Sequence, residues 1–226
     1  MRVAAMETDK LIQTLAAEAR PVRPLASPWA RMALWLAVAL PYIALVVVVI
    51  SPRADLLAKL ADARFLIEQI AALTTGIAAA IAAFASTIPG YDRKVLLLPA
   101  LPLAVWLGSL GEGCLRTIWQ YGVAGLSLQP DWFCLPAIML VGAMPAVAMV
   151  TMLRRGAPLY PYLSAGFGAL AAAGLGNFGL RLFHPQDASL MVLVWQVGSV
   201  FILTMLGSCA GRSILNWRTL TASGNR

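Results

Sequence analysis

The sequence predicts an all-α polytopic membrane protein, a bundle of six transmembrane helices with both termini in the cytoplasm. Three observations lead to this. First, 60% of the 226 residues are hydrophobic and only 12% are charged, about half the charged share of an ordinary soluble domain. Second, a mean hydropathy of +0.79 is sustained along the chain, which excludes a soluble domain with one anchor, a disordered chain and a fibrous repeat. Third, apolar runs of spanning length recur between clusters of turn residues. At about 20 residues per crossing the chain has room for about six spans and no sizeable extramembrane domain.

The first run, residues 32–50, is ended by Ser51-Pro52, since proline cannot continue a helix. It is too long and too far from the N-terminus for a signal-peptide core and lacks a small-x-small cleavage site, so an uncleaved helix is expected. Further runs lie at 65–88, 95–110, 134–153, 162–183 and 190–214. Between them stand Pro89-Gly90-Tyr91-Asp92, Gly111-Glu112-Gly113, Gln129-Pro130-Asp131, Arg154-Arg155-Gly156-Ala157-Pro158 and His184-Pro185-Gln186-Asp187. The division expected is a cytoplasmic tail at 1–31, the membrane domain at 32–214 and a second tail at 215–226. Both Met1 and Met6 are possible starts.

Orientation follows from the basic residues on alternate sides. One side carries Arg2, Lys10, Arg20, Arg23, Arg31, Arg93, Lys94, Arg154, Arg155, Arg212, Arg218 and Arg226; the other has only Arg53, Lys59, Arg64, Arg116 and Arg181. The richer side is cytoplasmic by the positive-inside rule. This bias accounts for most of the net charge of +7, so no direct contact with nucleic acid is expected; the lipid bilayer is the first partner. The fifth run holds Ala165, Gly166, Gly168 and Ala171 to Gly176, which suit close approach of helix backbones in a bundle. Glu68 stands near the outer start of the second span, and no span has Asp, Lys or His near its middle. Pumps and coupled transporters usually need such groups.

Little catalytic equipment is present. No Gly-rich phosphate loop, zinc-binding His-Glu-x-x-His or Gly-x-Ser-x-Gly elbow occurs, and one histidine leaves most acid-base schemes without a base. An enzyme is not expected. The polar and soft groups of the outer side are Glu112 and Cys114 after span three, Asp131 and Cys134 before span four, and His184 and Asp187 after span five. Pro130-Asp131 suggests a helix start with Asp131 as N-cap and Cys134 in the first turn, where the helix dipole favours a thiolate and Asp131 opposes it. A thiolate with an imidazole suits zinc, copper or cadmium, and Cys114 and Glu112 could complete the set. Packing is the commoner explanation of such residues: a Cys at a helix mouth is more often a packed small residue and a His before Pro a cap or loop residue. Cys209, among Gly207, Ser208 and Gly211, suggests packing alone.

In the N-tail, Leu11, Ile12, Leu15 and Ala19 share a helical face while Asp9, Gln13, Glu18 and Arg20 lie elsewhere, and Pro21 ends the segment. This short amphipathic helix suits the membrane surface or a groove on a partner.

Several features now fall in order: Asp9-x-Leu11-Ile12-x-x-Leu15, Pro21-Val22-Arg23-Pro24-Leu25, Leu153-Arg154-Arg155-Gly156-Ala157-Pro158-Leu159 with Pro161, and His184-Pro185-x-Asp187 before Trp195. Over nearly the whole chain this resembles the NrsF family of six-span anti-sigma factors. The resemblance implies an inner-membrane protein of bacteria that holds an extracytoplasmic-function sigma factor and releases it under stress, with periplasmic cysteines sensing heavy metals or oxidants. It implies sigma binding by the cytoplasmic surface, namely Asp9, Leu11, Ile12 and Leu15 with Arg154 and Arg155. Cys134 corresponds to the first of the family's paired cysteines, whereas His184 occupies the place of the second. Three alternatives follow: Cys114 with Cys134 as a redox pair, Cys134 with His184 as a metal site, or loss of the signal. A divalent heavy metal or zinc is preferred. The rival functions are a small transporter or permease subunit, suggested by Pro99, Pro102, Pro136 and Pro145 as marks of broken helices, and a scaffold for membrane enzymes.

Overall fold

The computed structural model describes residues 2–18, 25–122, 133–156, 158, 160–185 and 192–215, the side chains of 2–7, 134, 135 and 192 excepted. Every regular element among these is helical: α1 (Arg2–Glu18), α2 (Pro28–Ile50), α3 (Leu56–Leu60), α4 (Ala63–Ala85), a 3-10 turn at Arg93–Leu97, α5 (Ala100–Tyr121), α6 (Cys134–Leu153), α7 (Pro161–Leu180), a π-helical turn at Val192–Val197, α8 (Gly198–Cys209) and α9 (Gly211–Ile214). Among the described residues five helices are long and apolar enough to cross a membrane: α2, α4, α5 with its 3-10 lead-in, α6 and α7. Leu193–Cys209 is a shorter apolar helix in the place of the last expected span.

Local chemistry sets the helix ends. The Ser27 hydroxyl accepts from Ala30 N and Pro28 opens α2, a proline position that costs no hydrogen bond. Ser51 at φ 82° then closes it before Pro52. Asp62 caps α4 through Arg64 N at 3.0 Å. The Gly111-Glu112-Gly113 break expected from the sequence is instead the middle of α5, which runs on to Gly122 at φ 66°. A chain in hydrocarbon satisfies its carbonyls only by staying helical, and Glu112 and Arg116, one turn apart, hold the helix with an ion pair of 2.7 Å. Glu112 and Cys114 are therefore helical and not loop residues. Likewise α6 begins at Cys134 with Phe133 in the N-cap place and Pro136 in the first turn, where a proline is tolerated; Asp131, the expected cap, lies outside the described residues. Pro99 and Pro102 stand at the start of α5 and Pro145 lies within an unbroken α6, so these prolines do not interrupt spans.

Helix α7 is the centre. It packs on α4, α6 and α8, while α5 lies outside α4, and α2 rests on α4 and α6. Nine of its twelve buried residues are Gly, Ala or Ser. A Cβ on Gly174 would stand 3.3 Å from Gly76 Cα and 3.4 Å from Ala72 O, and one on Gly176 only 3.0 Å from Ile138 O. Cross-helix hydrogen bonds add to these contacts: Trp35 Nε1 donates to Pro145 O (2.8 Å), Tyr42 Oη to Leu140 O (2.8 Å), and Ser86 and Ser164 share a bond of 2.8 Å.

The up-down order gives the bundle two ends. At the basic end Arg31, buried in the first turn of α2, donates to Thr87 Oγ1 (2.9 Å) and Met152 O (2.6 Å) and lies 4.5 Å over the Phe84 ring. One arginine thus ties α2, α4 and α6 together. The α7 packing predicts that Gly176→Val, which drives methyls into the α6 backbone, lowers unfolding free energy in detergent by about 1–3 kcal/mol. Gly108→Ala, where nothing lies within 4 Å, should leave it unchanged or raised. Equal thermal stability of the two variants would remove close approach as the basis of the bundle.

Candidate functional site

The end opposite Arg31 gathers the ion pairs found among the described residues. Glu68, buried on α4, receives Nε of Arg64 at 3.1 Å and pairs with Nη1 of buried Arg181 at the end of α7. Arg64 reaches Glu112 of α5 at 3.8 Å and donates to Ser109 O at 3.0 Å. Arg53, buried just after α2, grips Asp55 with two bonds of 2.6 and 2.8 Å, and its backbone N–H bonds Leu182 O at 3.1 Å. Arg53 and Arg181 also stack on the Phe65 ring, at 5.8 and 4.9 Å. The ends of α2, α4 and α7 and the middle of α5 are joined by this network. Buried ionic groups in a membrane bundle are costly, and they commonly mark working parts.

One turn deeper lies a neutral polar seam. Gln69 donates to Phe178 O at 3.2 Å. Asn177, fully buried on α7, and Gln196, buried in the π-helical turn, have amide atoms without a hydrogen-bond partner among the described residues. A π-helical turn frequently accompanies a functional site. The sequence reading missed Arg64, Arg181, Asn177 and Gln196. A signal for one of them existed: Glu68 and Arg181 are opposite charges at ends of two spans that the topology brings to the same side.

The expected sensory residues divide. Cys134 is the first residue of α6. The ring of His184 lies 5.7 Å from that of Phe133, tilted by 40°, so the turn after α7 sits beside the residue preceding Cys134. Glu112, half exposed, pairs with Arg116 at 2.7 Å and lies 3.8 Å from Arg64. Cys114 is a free, half-buried thiol on α5, and Cys209 a free thiol near the other end. Asp131 and Asp187 lie outside the described residues. Among the described residues no three His, Cys, Asp or Glu side chains converge as a metal site would require.

At the basic end the contrast is complete. Among the described residues no carboxylate pairs with Arg31, Arg93, Lys94, Arg154, Arg155 or Arg212. Helix α1, which precedes this end in the chain, leaves Leu11, Ile12 and Leu15 exposed by 58%, 57% and 60%, and Asp9 is exposed with them. Its helix is longer than expected, beginning at Arg2, while Pro21 lies outside the described residues.

Glu68→Met should cost about 3–5 kcal/mol of stability, because Arg181 would stay buried without its counter-charge. Glu68→Met with Arg181→Met should recover most of the loss. Thermal unfolding in detergent measures both, and a double variant as unstable as the single would show that the pair itself is not the source.

No curated protein and no solved structure matches the chain. Residues 15–217 match the family described as NrsF, negative regulator of sigma F. That stretch takes in Leu15 of α1, every helix of the bundle and both arginines of the Arg154-Arg155 turn. The chain belongs to the NrsF family, a family of negative sigma-factor regulators and not of enzymes.

Proposed function

We propose that the protein is a membrane-bound anti-sigma factor that sequesters an extracytoplasmic-function sigma factor and releases it when a periplasmic signal, a heavy metal or an oxidant, acts at the outer end. In this reading the chain crosses the bacterial inner membrane six times, with Leu193–Cys209 and its flanks as the sixth span and both termini in the cytoplasm. The unpaired arginines then face the cytoplasm and the ion-paired network faces the periplasm. The observation that carries the reading is α1, an amphipathic helix whose Leu11, Ile12 and Leu15 face is more than half exposed. Such a face is suited to a groove on a soluble partner, and the family supplies the partner. Arg154 and Arg155 add an exposed basic turn beside it in function.

Release needs a second state of the bundle. Raising free sigma factor from about 1% to half requires about 2.7 kcal/mol of differential binding, an ordinary allosteric coupling. Cys134 and His184, with Asp131 and Asp187 near them in sequence, take the signal, with Cys114 as the remaining outer thiol; the soft thiolate and imidazole favour a divalent heavy metal or zinc. The Glu68–Arg181 seam between α4 and α7 is the bistable element that such a ligand would bias.

Pull-down of the full-length protein in mild detergent tests the reading. A sigma factor should co-purify, and Leu11→Asp with Leu15→Asp should lower its recovery at least about tenfold, the cost of removing two apolar anchors at a hot spot; unchanged recovery would exclude α1 as the docking surface. Recovery of no sigma factor from a folded sample, together with solute uptake in vesicles, would replace the proposal with a transporter.

Cells carrying Cys134→Ser should keep repression of a sigma-dependent reporter yet lose its induction by cadmium or oxidant. Normal induction in that variant would end the sensory assignment of Cys134.

A further inference from the structure

We propose that the furrow between α6, α7 and α8 binds one anionic phospholipid, an acyl chain lying in the furrow and the phosphate held at the basic end by Arg154 and Arg212. The floor is α7 and the walls are α6 and α8, with small residues (Ala143, Ala146, Gly168, Ala169, Ala172 and Gly207) giving the depth and a cavity volume of about 410 Å³. It opens outward: Met139 and Val147 on the α6 rim are more than half exposed. In a bilayer that opening faces lipid tails.

Dimensions select the occupant. Along α6 the furrow runs from Ile138 to Leu153, about 22 Å at the rise of an α-helix. That length and an apolar lining throughout suit an acyl chain.

Charge selects the headgroup. The furrow ends at Leu153, Ile214 and Leu215. Arg154 follows Leu153 and donates Nε to Ile214 O at 2.8 Å, leaving the other guanidinium donors at the mouth. Arg212, two residues before Ile214, is exposed with its guanidinium carbon 5.3 Å over the Tyr162 ring. Neither pairs with a carboxylate among the described residues. Two guanidinium groups beside an apolar slot match a phosphodiester with a tail, and basic pockets between transmembrane helices take anionic headgroups.

The test is native mass spectrometry of the full-length protein exchanged into micelles with equal phosphatidylglycerol and phosphatidylcholine. One phosphatidylglycerol should be retained in preference. Arg212→Gln, a surface change, should lower that preference about fivefold, the weight of one arginine at a lipid surface. Ala146→Phe, which plugs the furrow, should reduce retention of both lipids. Equal retention of the two lipids by the unaltered protein, a preference unmoved by Arg212→Gln, or a lipid-free dimer would each overturn the proposal. Sigma-factor binding is not read here, so this outcome is separate from that of the regulator reading.

Discussion

Helix α7 carries Gly, Ala or Ser at nine of its twelve buried positions, and in a bilayer this is what allows the rest of the bundle to assemble around it. Lipid tails are as apolar as Leu, so no hydrophobic force drives one span against another. Attraction must come from dispersion between backbones in close contact and from hydrogen bonds that lipid cannot compete for. Gly174 against Gly76, and Gly176 against Ile138 and Gly142, supply the first. The Trp35, Tyr42, Gln69 and Ser86 bonds supply the second, each joining elements at least 78 residues apart in sequence.

The two ends of this frame differ in electrostatic completeness. Carboxylates pair with the guanidinium groups of Arg53, Arg64, Arg116 and Arg181, whereas Arg31, Arg154 and Arg212 at the other end find hydroxyls, carbonyls and aromatic rings. Paired charges cross-link neighbouring helices in one arrangement, which a ligand must outweigh to bias the bundle. Cations without a carboxylate instead keep long-range attraction for acidic surfaces. The molecule is therefore ion-paired where the proposed signal arrives and electrostatically open where the proposed partner docks.

Much of this was legible in the sequence because hydrocarbon imposes a simple rule on span length. The α6 boundaries, Cys134 and Leu153, agree with the expected run at both ends, and the close of α2 at Ile50 does too. The Gly111-Glu112-Gly113 turn was misread because turn propensities describe a chain in water, where a freed carbonyl finds a solvent partner. The candidate site was less legible for a different reason. Glu68 stood out as an acid in an apolar run, but its partner Arg181 lies 113 residues away, and no local pattern reports a tertiary pair. Arg31 resembled a topology marker at a helix end, and only packing reveals it as buried. The position of Cys134 at a helix mouth was readable; its company was not, apart from the contact between Phe133 and His184.

The three-way tie made by Arg31 bears on how the protein is made. Its two hydrogen-bond partners, Thr87 and Met152, come 56 and 121 residues later in the chain. At synthesis rates of about 5–20 residues per second, α2 waits several seconds for α4 and longer for α6. During that interval the guanidinium has no protein cradle and must reach out to headgroups and water. Its withdrawal into the bundle is then one of the last steps of assembly, and it converts a group that anchors a lone helix at the interface into a latch among three. Folding of the basic end is thereby delayed until the α6 segment has entered the membrane.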